Sequence, residues 1–508
     1  MAAPRIQPAG IKSLSTVHEN FVHPIEELFN IWNGDNPDVI GGYNETTKCI
    51  QQFLAEAIAK KKTVRVLGGN WSWTKVGFTK DWIVSTTRLN RMKRLLPTEV
   101  EPQYAFVPDG LLFCQCGCSV QEVSRMLRSF GRSLPTTGAS NGQTIAGVIS
   151  NCTHGSAIDF GATPEFVVGL HIVVSPNKHV YLERASRPVV SNVFVNKIGA
   201  ELVRDDTLFN AALVSFGSFG FIHGVMVETE ALFLLNVYRQ RIAYDLIKPV
   251  FQSLDFDDTP FLPKPGLRPF HFQAIFNPYD MNSGPYITTM YKEPYRDDYP
   301  RNIPDLEKAG PGDDAATTLG KLTTLMPILT PMVVNQTIKS SYHSIHDAWG
   351  THSEIFSTTV VQGRVQSTAL GIPIEYTNQV LDIALNINED NSFAGVFSFR
   401  FVKQTTATLG FTQFPYTCII EFDSFEAPST WHFYSAIWKA LEEAGIPFTF
   451  HWGKVNNLDA MRLRKMYADK IDDWIDARNK LLSPEMLQTF TNEFMIELGL
   501  DRIKPPVA

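Results

Sequence analysis

Residues 134–155, LPTTGASNGQTIAGVISNCTHG, decide the fold that the sequence predicts. Four glycines lie among small hydroxyl and amide side chains in this stretch. Glycine permits positive φ and has no Cβ, so successive backbone N–H groups can converge on the oxygens of a bulky anion. Ordinary surface turns use the same residue types, so the stretch indicates an anion-binding loop only in combination with other segments.

Two further glycine segments supply that combination. Residues 64–73, VRVLGGNWSW, begin as an apolar run typical of a buried strand and pass directly into a glycine turn. Residues 213–228, LVSFGSFGFIHGVMVE, are spaced by glycines and continue into a second apolar run. Three glycine loops, each next to a predicted strand, therefore lie in the first half of the chain.

Composition limits the class of protein. The chain has 508 residues, of which 44% are hydrophobic and 19% charged, as expected for a soluble globular protein of two to three domains. The formal net charge is -7 and no block of like charges occurs, so nucleic acid is excluded as the main partner. A Rossmann NAD site is not indicated either, because no GxGxxG follows an early strand.

The compartment is predicted from what the chain does not contain. The first twenty residues, MAAPRIQPAGIKSLSTVHEN, lack the charged and apolar regions of a secretory signal. No apolar run reaches the roughly 18 residues of a transmembrane segment. Six cysteines are too few for a disulfide scaffold. We expect a cytoplasmic protein without a transmembrane segment.

The cysteines do not predict a metal site. Cys114, Cys116 and Cys118 alternate, so a strand would place them on one face. No second cysteine or histidine pair stands at zinc spacing elsewhere in the sequence. We expect these three side chains to be small buried hydrophobic residues and expect no metal.

The order of the glycine segments resembles a known family. VRVLGGNWS, LPTTGASNGQTIAGVISNCTHGS and DDTLFNAALVSFGSFGFIHGVMVETE together look like the FAD-binding domain of the vanillyl-alcohol oxidase / p-cresol methylhydroxylase (PCMH) superfamily. Within that superfamily the likeness is greatest to the aldonolactone and alditol oxidases. Residues 451–454, HWGK, resemble a signature of the same branch.

The resemblance implies a fold and a domain order. The fold class is α+β, with a two-subdomain PCMH-type FAD-binding domain over residues 1–230. An α+β cap domain, which would bind the substrate, follows over residues 231–455. The last segment, residues 456–508, is predicted to form helices that return to the FAD-binding domain.

The resemblance also implies which residues bind FAD. Backbone amides of 138–143 would hold the pyrophosphate, and residues 150–155 would lie near the isoalloxazine ring. The predicted cofactor-binding residues are Gly68, Gly69, Asn70, Trp71, Ser72, Gly138, Ala139, Ser140, Asn141, Gln143, Thr144, Gly147, Ser150, Thr153, His154, Gly155, Gly220, Ile222 and Lys454.

The flavin is predicted to be noncovalent. The resembling family has a GxGHS pattern whose histidine commonly bonds the 8-methyl carbon of the flavin, and Trp71 stands at that place. Tryptophan cannot form this bond. No histidine occurs between Val64 and Thr153, so a shifted alignment leads to the same result. No cysteine stands where the bicovalent branch has its second attachment.

Residues 393–401, FAGVFSFRF, carry the predicted catalytic pair. Ser398 and Arg400 are two apart on a predicted strand and therefore share a face. The lactone and alditol oxidases have an E-x-R pair here, in which glutamate binds the substrate hydroxyl and arginine stabilises the reduced flavin. Arg400 matches this pattern, whereas Ser398 does not. The missing carboxylate argues against a polyol or aldonolactone and favours a less polar alcohol or a natural-product intermediate.

The resemblance implies an activity with named residues. A hydride passes from a substrate CH–OH group to flavin N5, and O2 reoxidises the flavin with release of H2O2. The predicted catalytic residues are Arg400, Lys454, His154 and Ser398. His154 either hydrogen-bonds the flavin or caps the turn before Gly155. The base is not decided by the sequence, and the candidates are His154, His451, Tyr416 and Glu421.

Other functions stay open at this point. A dehydrogenase would use a quinone or cytochrome acceptor instead of O2, and an oxidase or cyclase could tailor a hydrophobic natural product. A noncatalytic scaffold derived from a flavoprotein would not retain FAD. The expected partners are a small-molecule substrate and an electron acceptor. The oligomeric state is not indicated by the sequence.

Overall fold

A computed structural model describes residues 2–104, 108–304, 330–359 and 365–503 and mixes helices with β-sheets, which confirms the α+β class. The elements before residue 232 form the first unit of the fold. In chain order they are β1 (Arg5–Pro8), β2 (Ser13–Ser15), β3 (Val22–Pro24), β4 (Glu27–Trp32), α1 (Val39–Ala59), β5 (Val64–Leu67), β6 (Trp82–Ser85), β7 (Met92–Arg94), β8 (Leu111–Gln115), α2 (Val120–Arg128), β9 (Arg132–Ser133), α3 (Ile145–Ser150), β10 (Val167–Ser175), β11 (Lys178–Glu183), α4 (Asn192–Ile198), β12 (Glu201–Arg204), α5 (Asp206–Leu213), β13 (Phe221–Glu228) and β14 (Glu230–Ala231).

Two sheets organise this first unit. One has four strands in the order β1-β4-β6-β5, and the other has six in the order β12-β11-β10-β13-β8-β7. Strands β10 and β11 pair as an antiparallel hairpin around the turn at Pro176 and Asn177. The first glycine segment contains β5, the second contains α3 and the third contains β13.

The first helix shows how local sequence sets an element. Asp38 caps α1 by accepting hydrogen bonds from the backbone N–H groups of Ile40 and Gly41 at 3.1 and 3.0 Å. A buried stripe that includes Ile50 and Leu54 faces the sheet, as the helical spacing predicts. The helix begins at Val39, directly after this cap.

A second unit is built on one eight-stranded sheet. Its strand order is β18-β15-β17-β16-β20-β21-β19-β22. The elements are β15 (Phe233–Arg241), α6 (Tyr244–Ser253), β16 (His271–Phe276), β17 (Tyr286–Pro294), α7 (Thr330–Ser341), β18 (Ile345–Thr351), α8 (His352–Ile355), β19 (Val365–Pro373), α9 (Thr377–Asp390), β20 (Val396–Lys403), β21 (Tyr416–Phe425), α10 (Pro428–Glu443) and β22 (Thr449–Phe450). We propose the boundary between the two domains where the sheets change, between β14 and β15.

The eight-stranded sheet has two different faces. On β20, Phe397, Phe399 and Phe401 point into an apolar core that also contains residues of α6, α9 and α10. Alternation along the strand turns Ser398 and Arg400 to the opposite face, toward the first unit. The helices thus cover one face and leave the polar face for the site.

The C-terminal helices pack on the first unit. They are α11 (Ala460–Tyr467), α12 (Lys470–Leu481), α13 (Pro484–Thr489) and α14 (Glu493–Glu497). Trp474 of α12 is fully buried, and its indole N–H donates to Val214 O at 2.9 Å. Its ring also contacts Phe216 and Phe219, which belong to the third glycine segment.

A cluster of buried histidines lies behind the six-stranded sheet. The ring of His223 stacks on Tyr43 with centroids 4.0 Å apart. Its two nitrogens lie 3.0 Å from the Thr47 hydroxyl and 3.0 Å from the Gln115 amide. Burial lowers the pKa of His223 to about 3. The folded protein therefore keeps this ring neutral in acid.

We expect stability to fall as the pH is lowered below 6.5. The unfolded chain protonates its histidines near their ordinary pKa of 6.5, whereas His223 stays neutral in the fold down to about pH 3. The unfolded state then binds more protons, which costs about 2 kcal/mol of unfolding free energy at pH 5 for one such histidine. Urea unfolding at pH 7 and pH 5 measures this loss. His223→Gln should shrink the difference, and the exposed His432→Gln should leave it unchanged; an equal difference in both variants would contradict the assignment.

Candidate active site

One cavity runs between the glycine segments and the polar face of the eight-stranded sheet. Most of the residues predicted to bind cofactor or substrate line it: Gly68, Gly69, Asn70, Trp71, Ser72, Gly138, Ala139, Ser140, Gln143, Thr144, Gly147, Ser150, Thr153, His154, Gly220, Ile222, Arg400 and Lys454. The other lining residues used below are His18, Trp73, Glu421 and His451. The tertiary structure thus brings segments from both halves of the chain to one cavity.

The glycine-rich wall fits a bulky anionic cofactor. Thr144 Oγ1 and Gln143 Oε1 are buried and have no hydrogen-bond partner among the described residues. A Cβ at Gly68 would lie 2.0 Å from Thr144 Oγ1, and one at Gly147 would lie 3.0 Å from it. Gly68 and Gly147 therefore leave space around Thr144 Oγ1, which has no hydrogen-bond partner among the described residues. These groups match a ligand with many hydrogen-bonding oxygens, such as the FAD that the resemblance implies.

Gly142→Ala tests this cradle. A Cβ at Gly142 would lie 2.7 Å from Thr359 O and 2.7 Å from Trp71 Cζ2, so backbone and indole must both move. We expect a loss of about 1–3 kcal/mol in unfolding free energy and a weaker affinity for FAD, measured by flavin fluorescence titration. Gly10→Ala is the control, because no atom lies within 4 Å of a Cβ at Gly10, and its FAD affinity should stay unchanged. Equal affinity of the two variants would refute the role of Gly142.

An N-terminal hairpin holds the first glycine turn. Asn70 adopts a left-handed conformation with φ of 59°, and its side chain donates to Ser15 O at 2.6 Å. The backbone N–H of Val17 donates to Asn70 O at 3.1 Å, and the Asn20 amide donates to Trp73 O at 2.8 Å. The turn is therefore shaped by residues of β2, β3 and the loop between them.

His18 reaches the cavity from that hairpin and was missed by sequence reasoning. Its ring stacks on Trp73 at 3.6 Å, and Nε2 lies 2.9 Å from Trp71 O, so Nε2–H is the donor. Nδ1 is buried and accepts no hydrogen bond from the described residues. Burial and the nearby Lys454 lower the pKa of His18 to about 3, which keeps the ring neutral. No motif surrounds His18, so only the packing of the hairpin could reveal it.

A buried group of charges closes the other end of the cavity. Glu421 lies between two cations, with Oε2 at 3.2 Å from Arg400 Nη1 and Oε1 at 3.2 Å from Lys454 Nζ. Lys454 Nζ also donates to Ser367 Oγ at 2.9 Å and lies 3.9 Å from Asp423 Oδ1. Burial alone would raise the pKa of Glu421, but Arg400 and Lys454 hold it well below its usual range. The carboxylate is therefore ionised throughout the working pH range.

Two neutral histidines lie beside this group. His154 Nδ1–H donates to Gly155 O at 3.0 Å, and burial lowers its pKa to about 4. His451 Nδ1 accepts from the backbone N–H of Gly453 at 3.0 Å, and burial holds its pKa well below the usual value. The ring centroids of His154 and His451 are 5.7 Å apart. His154 thus bonds to its own turn and also lines the cavity, so this position agrees with both predicted roles.

Three predicted site residues, Asn141, Gly155 and Ser398, do not line the cavity, and their roles stay predictions. Asn141 donates its amide to Phe356 O and therefore ties the loop to the second unit. Gly155 is packed so tightly that a Cβ would lie 2.5 Å from Thr137 O. Ser398 is fully buried, and its hydroxyl accepts from the Gln273 amide at 3.3 Å.

Two of the remaining predictions concern Tyr416 and the three alternating cysteines, of which Cys116 lines the cavity. Tyr416, a candidate base, hydrogen-bonds Asp159 at 3.1 Å and does not line the cavity. Cys114, Cys116 and Cys118 are buried with free thiols, as predicted. Among the described residues no group of three or more metal-ligating side chains occurs. In the same part of the chain, no helix is both long enough and apolar enough to cross a membrane.

Two sequence families match the chain. Residues 43–180 match an FAD-binding domain family, and residues 291–497 match the D-arabinono-1,4-lactone oxidase family. D-arabinono-1,4-lactone oxidase of Candida glabrata is 24% identical over 205 residues, which cover 40% of this chain and 34% of the relative. The chain thus spans about a third of the length of the first curated relatives that it matches. L-gulono-1,4-lactone dehydrogenase of Mycobacterium tuberculosis is 21% identical over 458 residues, which cover 88% of this chain and 92% of the relative.

Solved structures share the fold. Cholesterol oxidase of Brevibacterium sterolicum superposes with a TM-score of 0.65 at 13% identity, covering 97% of both chains. A chitooligosaccharide oxidase superposes with a TM-score of 0.60 at 11% identity, covering 99% of this chain and 97% of the other. At this identity the likeness concerns the fold alone. The two family matches and their order show that the chain belongs to the vanillyl-alcohol oxidase / PCMH superfamily of FAD-linked oxidoreductases, with an FAD-binding domain followed by a D-arabinono-1,4-lactone oxidase domain.

Proposed function

We propose that the chain is an FAD-dependent oxidoreductase that oxidises a CH–OH group of a small hydroxylated molecule, with O2 as the electron acceptor and H2O2 as product. The observation that carries this proposal is the shared cavity. Its glycine-rich wall suits FAD, and its other end carries the buried cations Arg400 and Lys454. Oxidation of an alcohol by FAD requires that one bound substrate reaches both the cofactor and these charged side chains.

The chain's own residues supply positioning and charge. FAD, when bound, would supply the acceptor for one hydride, which carries the two electrons of the oxidation. Gly68, Thr144 and their neighbours would hold its polar groups. Arg400 and Lys454 stand ready as fixed cations, and such preorganised charge stabilises negative charge that develops during the reaction. Both cations are buried, so water screens them little.

We also propose that FAD is bound without a covalent bond. Trp71 occupies the position at which the resembling family has its attaching histidine. Acid precipitation of the purified protein tests this proposal, because noncovalent flavin passes into the yellow supernatant. Colour in the pellet would contradict it, and mapping of the flavin peptide would then identify the attached residue, with His18 as the cavity histidine to inspect first.

The substrate class we favour is a lactone or polyol. Ser398 provides no carboxylate for a substrate hydroxyl, but Glu421 lines the cavity and carries one. The names of the two curated relatives, which act on aldonolactones, agree with this class. A less polar alcohol is the second candidate, because Trp71 and Trp73 give the cavity an aromatic wall.

Anaerobic mixing tests the function. D-arabinono-1,4-lactone, L-gulono-1,4-lactone and lipophilic secondary alcohols are each added to the FAD-loaded protein, and the loss of flavin absorbance is followed. We expect the lactones to bleach the flavin, and readmitted O2 to restore it with formation of H2O2. Reoxidation by a quinone or cytochrome without H2O2 would indicate a dehydrogenase. A protein that binds no FAD, or whose flavin no alcohol reduces, would refute the proposed function.

A further inference from the structure

Glu421 stands directly opposite Ser398 in the sheet. Strands β20 and β21 pair in antiparallel register, with Ser398 across from Glu421. Directly opposed residues place their side chains on the same face of a sheet, with Cβ atoms about 4.5–5.5 Å apart. A carboxylate on residue 421 therefore occupies the same polar face as a side chain on residue 398, displaced by one strand. Arg400 lies on that face as well.

The carboxylate of Glu421 has capacity left for a ligand. It is nearly fully buried, yet it lines the cavity. Oε2 accepts no hydrogen bond from the described residues, although Arg400 Nη1 lies 3.2 Å away. An ionised carboxylate can accept about four hydrogen bonds, so a buried oxygen without one is costly. A hydroxyl donor in the cavity would satisfy it.

Other candidate acceptors are less suited. Among the described residues that line the cavity, Glu421 carries the one carboxylate. His154 uses Nδ1–H for Gly155 O, and His451 uses Nδ1 for the N–H of Gly453. Burial keeps both rings neutral. Tyr416 lies outside the cavity. Glu421 is therefore the acceptor that both contacts the two cations and lines the cavity.

We propose that Glu421 is the catalytic carboxylate that binds the substrate hydroxyl and takes its proton. The proposal rests on the proposed function. As the alcohol is oxidised, the carbinol C–H bond breaks and its electron pair leaves with the hydrogen to FAD. The O–H bond breaks at the same time, its proton goes to Glu421, and the C–O bond becomes a carbonyl. Loss of hydride makes the hydroxyl proton strongly acidic, so a weakly basic carboxylate suffices in this step.

Glu421→Gln provides the first test. The amide has nearly the same shape but cannot take the proton. We expect anaerobic flavin reduction by the substrate to slow about 100-fold or more, with an unchanged ratio of FAD to protein by absorbance. His154→Asn should slow it less. The inference is overturned if Glu421→Gln keeps its FAD and reduces it within about threefold of the wild-type rate.

The outcomes separate the two proposals. If no alcohol reduces the wild-type flavin, the proposed function fails. If the wild-type flavin is reduced and Glu421→Gln matches it, only the role of Glu421 fails. Should Glu421→Gln lose FAD, Glu421→Asp decides, because it keeps the charge between Arg400 and Lys454. We expect Glu421→Asp to bind FAD and to reduce it about tenfold more slowly than the wild type, because the shorter side chain keeps the carboxylate but holds it farther from the substrate. A Glu421→Asp variant that reduces FAD no faster than Glu421→Gln, both at saturating FAD, would overturn the inference.

Discussion

Lys454→Met is expected to slow reduction of the bound FAD by the substrate about 100- to 1000-fold while FAD stays bound. Methionine has a similar length but no charge. Lys454 Nζ lies 3.2 Å from Glu421 and donates to Ser367, so its position is fixed before the substrate arrives. A cation placed in this way stabilises developing charge without reorganisation, and its loss is felt mainly in the chemical step.

Stopped-flow absorbance under anaerobic conditions measures this effect. Lys439→Met is the matched control, because Lys439 is 76% exposed on α10 and pairs only weakly with Glu443 at 3.5 Å. The control should react at the wild-type rate. The pKa of Glu421 should rise in Lys454→Met, because one of its two cations is removed. A wild-type reduction rate in Lys454→Met would show that the cation takes no part in the reaction.

Trp474→Ala is expected to lower the unfolding free energy by about 3–5 kcal/mol. The indole is completely buried, donates to Val214 O and packs against Phe216 and Phe219. Its loss creates a cavity between α12 and the third glycine segment and leaves Val214 O without this donor. Because Phe216 also lines the FAD cavity, a weaker affinity for FAD should accompany the lost stability.

Chemical unfolding of apoprotein and FAD titration measure the two effects separately. Trp431→Ala is the control, since Trp431 is 41% exposed on α10. It should change the unfolding free energy by less than about 1 kcal/mol. If the two tryptophan variants were equally stable, the C-terminal helices would contribute little to the first unit of the fold.

Several elements could be predicted because their signals are local. The apolar stripe of α1, the turn at Pro176 and Asn177 and the end of α10 before Gly445 all depend on neighbours within a few residues. Gly445 has φ of 65°, a left-handed conformation that glycine adopts without strain. The strand before HWGK is short, because pairing is limited to Thr449 and Phe450.

The family, the α+β class and the FAD cradle were determined by the sequence itself. Positions 68 and 142 require glycine, because a Cβ would lie 2.0 Å from Thr144 Oγ1 at the first and 2.7 Å from Thr359 O at the second. Arg400 and Lys454 could be recognised because each lies in a short motif.

Only the tertiary structure decided how the rest of the site is completed. Glu421 stands beside the cations because of the register between β20 and β21, and His18 enters the cavity because a hairpin packs on the first glycine turn. The same packing removes Asn141, Gly155 and Ser398 from the cavity. These positions depend on contacts between segments far apart in the chain, which local spacing and residue type do not encode.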